Sequence, residues 1–249
     1  MDNRRQSLLS QMKKDAIKLD WDVAFQGKAN GNRHLFRVNK IIRYLVTKEG
    51  GDPFIAQSGG WIHDVSLAWG SDYDQKHVEK YTKKFLKSYK NLQTNEFKKI
   101  LECATLHENG GKSSNIEARI VHDADILDKS GLLGVIRHIW KMTNLLENKI
   151  LVNEKDFLKL NRHLSKRRSQ LYTKTGIKLA GILNKQSEMF FSKNKYSLKL
   201  MNAISTKASL GLTSDRIAKS LLKDKKSILF NKLKSQLSCE YLKKTTSNI

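Results

Sequence analysis

A histidine and an aspartate stand side by side at His63-Asp64, inside a stretch from Gly59 to Val65 that is otherwise apolar or small. This pair constrains what the chain can fold into more than any other feature. A carboxylate placed in an apolar run costs several kcal/mol unless a cation or hydrogen-bond donors meet it. On a helix, neighbouring side chains diverge by about 100°. His63 and Asp64 can therefore share one metal ion only near a helix end, and Gly59 and Gly60 just upstream permit close approach there. The competing reading is a helix-borne histidine with Asp64 as an ordinary cap.

The rest of the chain decides between them. Apolar residues make up 39% of the sequence, there is a single proline, and the apolar positions recur at helical spacing. The fold class expected is all-α. Asp52 as N-cap and Pro53 at the first helical position open a helix over Phe54 to Ile62, which delivers the His63-Asp64 pair at its C-terminal end. His34 recurs with Val38, Ile41 and Leu45 on the buried stripe of the preceding helix. A helix over Asn95 to His107 stacks Phe97, Ile100, Leu101 and Ala104, and His107 continues that face. In the helix over Asn115 to Leu127, Asp123 falls on the stripe of Ile116 and Ile120. His34, His63, Asp64 and Asp123 thus put two imidazoles and two carboxylates on inward faces of three helical segments, a metal constellation by type and count. Gly110-Gly111-Lys112-Ser113 lacks the full phosphate-loop pattern and follows a helix rather than a strand.

Charge divides the chain differently. The net charge is +23; residues 1–150 hold 25 Lys+Arg against 18 Asp+Glu, and residues 151–249 hold 22 against 6. Such an excess suits phosphate-bearing ligands, nucleic acid or an acidic surface. The organisation expected is a domain over 1–195 that holds the candidate metal site and a lysine-rich helical extension over 196–249. Two cysteines in no metal-knuckle spacing, no apolar leader and no membrane-length run point to a reducing, cytoplasmic setting without a membrane span.

These residues resemble the HD superfamily of metal-dependent phosphohydrolases, whose pattern is H…HD…D on a helical bundle. The matching pieces are His34-Leu-Phe-Arg-Val, Ile62-His63-Asp64-Val65 and the run from Ile120 through Asp123, Asp125 and Asp128 to Gly131, with a weaker likeness from Leu171 to Ala180. The resemblance implies a helical bundle over about residues 20–195 with His34, His63, Asp64 and Asp123 as metal ligands, Asp123 being preferred to Asp125 or Asp128. It also implies a role at a second metal or the phosphate for His107. Val65-Ser66-Leu67-Ala68 lacks the acidic residue that nucleotidase-like members carry after the HD pair.

The chemistry implied is hydrolysis of a phosphate ester or phosphodiester of a nucleotide or related small molecule by a metal-activated water. Asp64 and Asp123 would orient that water, while Arg37 and Lys112 could neutralise phosphate oxygens, with a solvated surface as their alternative. Carboxylates and imidazoles without thiolate favour a divalent manganese, cobalt, nickel, iron or magnesium ion over structural zinc. The alternative function is a basic nucleic-acid-binding or nuclease-like protein on the same scaffold. Lysines without interleaved aromatics make a poor platform for bases, which weighs against it.

Overall fold

The computed structural model describes residues 1–70, 74–106, 113–167, 170–192, 194–223 and 230–245. All regular structure among them is helical, as the apolar periodicity predicts. The chain forms two compact units.

The first unit comprises Met1–Asn30, His34–Asp125 and Leu171–Gly176. It contains helices α1 (Asn3–Asp22), α2 (His34–Glu49), α3 (Pro53–Ile62), α4 (Gln75–Leu86) and α5 (Thr94–Thr105), a short 3₁₀ turn at Val65–Ala68, and α6 (Ile116–Asp128) as far as Asp125. Helix α3 packs against α1, α2 and α5. It is capped as its sequence predicts, with the Asp52 carboxylate accepting from the Phe54 N–H at 2.8 Å. The Asp52 N–H donates in turn to Glu117 Oε1 at 2.7 Å, which fastens the start of α3 to α6. Phe54, Ile55 and Ile62 of α3 meet a core that includes Met12, Ile41, Ile42, Leu45 and Ile100, all buried.

Gly59 and Gly60 lie inside α3, not at its end. A Cβ on Gly59 would sit 2.4 Å from Cys103 Cβ, and one on Gly60 would sit 2.1 Å from Ile42 Cδ1. The close approach they permit is that of α3 to α5 and α2. Helix α5 opens with a capping box between Gln93 and Glu96, and the same Glu96 carboxylate receives Arg4 at 2.6 Å and Arg5 at 2.8 Å.

The second unit comprises Gly31–Arg33, Ile126–Gln170 and Ile177–Ile249. It holds α7 (Gly131–Lys141), continued by a π-helical turn at Met142–Leu146, then α8 (Glu154–Arg167), the body of α9 (Lys174–Phe191), α10 (Asn194–Ser209), α11 (Ser214–Leu222) and α12 (Phe230–Ser238). Helix α7 packs against α8, α10, α11 and α12. Gln236 of α12 accepts from the Leu133 N–H at 2.9 Å and donates to the Ser130 carbonyl at 3.1 Å. Met201, Ile204, Ala208, Ile217 and Leu233 are all buried. The described residues of α10, α11 and α12, within the span expected from its charge to form an extension, thus bury apolar side chains in the same unit as α7 and α8. Among the described residues no helix is long and apolar enough to cross a membrane.

Candidate metal centre

Two helix ends and one buried helix bring four side chains of the first unit together. His34 is the first residue of α2. His63 closes α3 with helical backbone angles, and Asp64 leaves the helix at φ −97°, ψ 5°. That change of backbone lets adjacent side chains turn to one point, as the sequence requires of a shared ion. Asp125 comes from α6 and is 1% exposed.

His34 Nε2 lies 3.2 Å from His63 Nε2, 3.2 Å from Asp125 Oδ1 and 3.4 Å from Asp64 Oδ2. His63 Nε2 lies 3.4 Å from Asp64 Oδ2 and 3.5 Å from Asp125 Oδ1. These spacings fit ligands of one ion. At a metal–ligand distance of about 2.1 Å, neighbouring donors stand about 3.0 Å apart in octahedral and about 3.4 Å apart in tetrahedral geometry. Tautomer chemistry agrees: His63 Nδ1 sits 2.9 Å from the Gly60 carbonyl, so Nδ1–H donates there and Nε2 turns its lone pair inward. His34, His63 and Asp125 form a buried group able to hold a metal ion. Burial opposes a charged His63, yet the Asp64 and Asp125 carboxylates outweigh it and lift its pKa above the ordinary value.

Asp123 stands elsewhere, contrary to the expectation that it is the fourth ligand. Its carboxylate accepts from the Tyr172 N–H at 3.0 Å, the Thr173 N–H at 2.7 Å and the Thr173 hydroxyl at 2.6 Å. Thr173 Oγ1 then accepts from the Gly176 N–H at 3.0 Å in the first turn of α9. A Cβ on Gly176 would meet Asp123 Oδ2 at 2.5 Å, so only glycine fits this clasp. Burial raises the Asp123 pKa and the Thr173 and Tyr172 donors pull it back only in part. Asp123 is occupied in holding the start of α9, and Asp125 faces the imidazoles in its place.

Arg37 lies one turn along α2 from His34 and is 4% exposed, which removes solvated surface as its explanation. His122 is buried beside the Tyr172 ring, with centroids 4.9 Å apart. His107 and Lys112 lie outside the described residues.

Residues 32–130 match the model of the HD domain, and the stretch contains all four converging residues. Over those residues the chain is similar to the HD domain. A segment of 123 residues is 24% identical to Ribonuclease Y of Alkaliphilus metalliredigens (strain QYMF), covering 47% of this chain and 25% of the relative. The chain thus spans about a quarter of the length of the curated relative it matches. Among solved structures, an HD-superfamily hydrolase from Bacillus thuringiensis superposes with a TM-score of 0.59 at 19% identity, over 77% of this chain and 96% of that one. Bacillus subtilis YpgQ in complex with ADP gives 0.59 at 17% identity, over 78% and 96%. A protein from Lactobacillus plantarum gives 0.60 at 19% identity, over 78% and 98%. These likenesses show the fold, an all-α helical bundle, and the buried His/Asp cluster within it fits a metal.

Proposed function

We propose that the HD domain holds a divalent ion with His34, His63, Asp64 and Asp125 and hydrolyses a phosphate ester or phosphodiester of a nucleotide or related small molecule. The observation that carries this reading is the convergence of four nitrogen and oxygen donors within 3.5 Å of either imidazole Nε2. When bound, a divalent ion supplies Lewis acidity toward a phosphoryl oxygen and lowers the pKa of water. The residues do the rest. Gly60 fixes the tautomer of His63, and Asp125 orients both imidazoles from the buried side. Asp64, with a side chain 10% exposed, is the member best placed to take a proton from an attacking water at a carboxylate oxygen. Arg37 is a candidate for balancing phosphate charge near the start of α2.

Manganese, cobalt, nickel, iron and magnesium all suit the donor set, which contains no thiolate. ADP bound to the YpgQ relative supports a nucleoside polyphosphate as substrate. The partial likeness to Ribonuclease Y supports the alternative, a nucleic-acid substrate. The buried cysteines Cys103 and Cys239, which carry no disulfide, agree with a cytoplasmic setting. The deciding experiment is elemental analysis of purified protein, then a screen of nucleotides, cyclic nucleotides and short oligonucleotides with each divalent ion. Hydrolysis that depends on added metal and stops in chelator supports the reading; turnover unchanged in excess chelator, with no metal bound, defeats it.

A further inference from the structure

Helix α4 carries three parallel rows of side chains. Val78, Thr82 and Leu86 are buried. His77, Tyr81 and Phe85 are half-buried along one flank, and Lys76, Lys80, Lys84 and Lys87 are exposed in the row beside them. The basic row spans about 16 Å at the rise of an α-helix. Among the described residues, only Lys83 of this helix has a carboxylate within ion-pair reach, Glu79 at 3.4 Å.

Aromatic rings are laid against this basic row. Trp69, just past the 3₁₀ turn that follows the HD pair, stacks on Tyr81 with centroids 5.1 Å apart and planes 10° apart. Tyr81 also packs on His77, with centroids 4.5 Å apart. Lys80 Nζ stands 5.3 Å from the Tyr81 ring and Lys84 Nζ 6.0 Å from the Trp69 ring. Trp69 nevertheless keeps 39% of its surface exposed. Among the described residues, Tyr81 is the one ring stacked on Trp69, and Lys84 is the cation over it.

We propose that this surface binds single-stranded nucleic acid, with a base stacked on Trp69 and phosphates following Lys76, Lys80, Lys84 and Lys87. A stacked ring pair with a part-exposed tryptophan accepts any base, because every base has a π-face, and a lysine row beside it tracks a backbone. The chemistry separates this ligand from a simple polyanion, which has no use for Trp69. Binding here does not depend on hydrolysis at the metal centre.

The test is fluorescence anisotropy of full-length protein with short labelled oligo(rU) and oligo(dT) in excess chelator, with His63→Ala as a second non-hydrolysing background. Failure to bind then counts against the α4 surface, and failure to hydrolyse counts against the metal centre. Trp69→Ala is expected to weaken binding about tenfold, and Trp69→Phe to retain most of it. Lys80→Gln with Lys84→Gln is expected to flatten the plot of log affinity against log salt by about 1.4 at most. Inorganic polyphosphate should compete poorly at equal charge. Full affinity in a folded Trp69→Ala variant, or polyphosphate competing as well as the oligonucleotide, would overturn the proposal. If Trp69→Ala does not fold, the lysine pair decides, since both positions are exposed; an unchanged salt slope would overturn it equally.

Discussion

Asp123 and Asp125 stand two residues apart on the same buried helix, yet Asp123 accepts the backbone and hydroxyl donors of Tyr172 and Thr173 while Asp125 faces His34 and His63. The two carboxylates point about 200° apart round the helix. One holds the start of α9 and the other belongs to the proposed metal site.

Their substitutions should separate accordingly. Asp125→Ala is expected to remove bound metal and hydrolysis with little loss of helical content. Asp123→Ala should leave the metal in place and cost about 3 kcal/mol of stability, because it strands buried N–H and hydroxyl donors. Elemental analysis beside urea titration checks both, and the reverse pairing of effects would return Asp123 to the metal.

Acid should strip stability through Glu96. Hydrogen bonding from Arg4, helped by the Gln93 N–H and Arg5, holds its pKa at about 2, against an ordinary value of 4.5. A folded-state pKa below the unfolded value contributes stability that is fully present above about 4.5 and is lost as pH falls toward about 2. Glu96→Gln is therefore expected to be less stable than the parent near neutral pH, with the difference shrinking across that window. Chemical denaturation of chelated protein at several pH values measures it; a gap that stays constant down to pH of about 2 would mean that the ion pairs contribute nothing.

The two glycines of α3 should differ in tolerance. At Gly60 an added methyl meets the movable Cδ1 of Ile42, whereas at Gly59 it meets Cys103 Cβ, which is fixed to the α5 backbone. Gly59→Ala is expected to cost about 3 kcal/mol and to weaken metal binding by shifting His63, and Gly60→Ala to cost less. Cys103→Gly should recover part of the Gly59→Ala loss in a double-mutant cycle. Additive losses would show that the clash is not the cause.

Deletion of residues 196–249 should do more than remove charge. It takes away Met201, Ile204, Ile217 and Leu233 from the buried set and Gln236 from the start of α7. The expected outcome is a chain that binds hydrophobic dye and loses helix beyond the deleted part, followed by circular dichroism. A truncated chain with native-like melting would restore these residues to the status of an appendage.

Helix positions, the Asp52 cap and the turning of His63 and Asp64 to one point were legible because each depends on local spacing and backbone chemistry. The choice between Asp123 and Asp125 was not. An apolar stripe identifies the inward face of an amphipathic helix, but residues 120–128 of α6 are buried all round, so the stripe of Ile116 and Ile120 marks no unique direction. The signal that separates them is long-range: Thr173 and Gly176 form a capping turn that needs an acceptor, and their sequence does not say where it lies. Charge is a poor guide to the packing of the C-terminal helices for a related reason. Lysine content records the solvent face of α10 to α12, while the buried face is set by residues spaced three and four apart among those lysines.

The Asp123 clasp also has a consequence for the order in which the protein is made. Leu171–Gly176 completes the first unit although the chain has already left it at Asp125. On a ribosome, which releases the chain from its N-terminus at roughly 5–20 residues per second, the metal ligands emerge some fifty residues before the donors that satisfy Asp123. During that interval the nascent bundle holds a buried carboxylate without its clasp. On this order α6 is locked only when Thr173 arrives, so substitutions at Thr173 or Gly176 should reduce the yield of folded protein during synthesis more than they reduce the stability of protein already made.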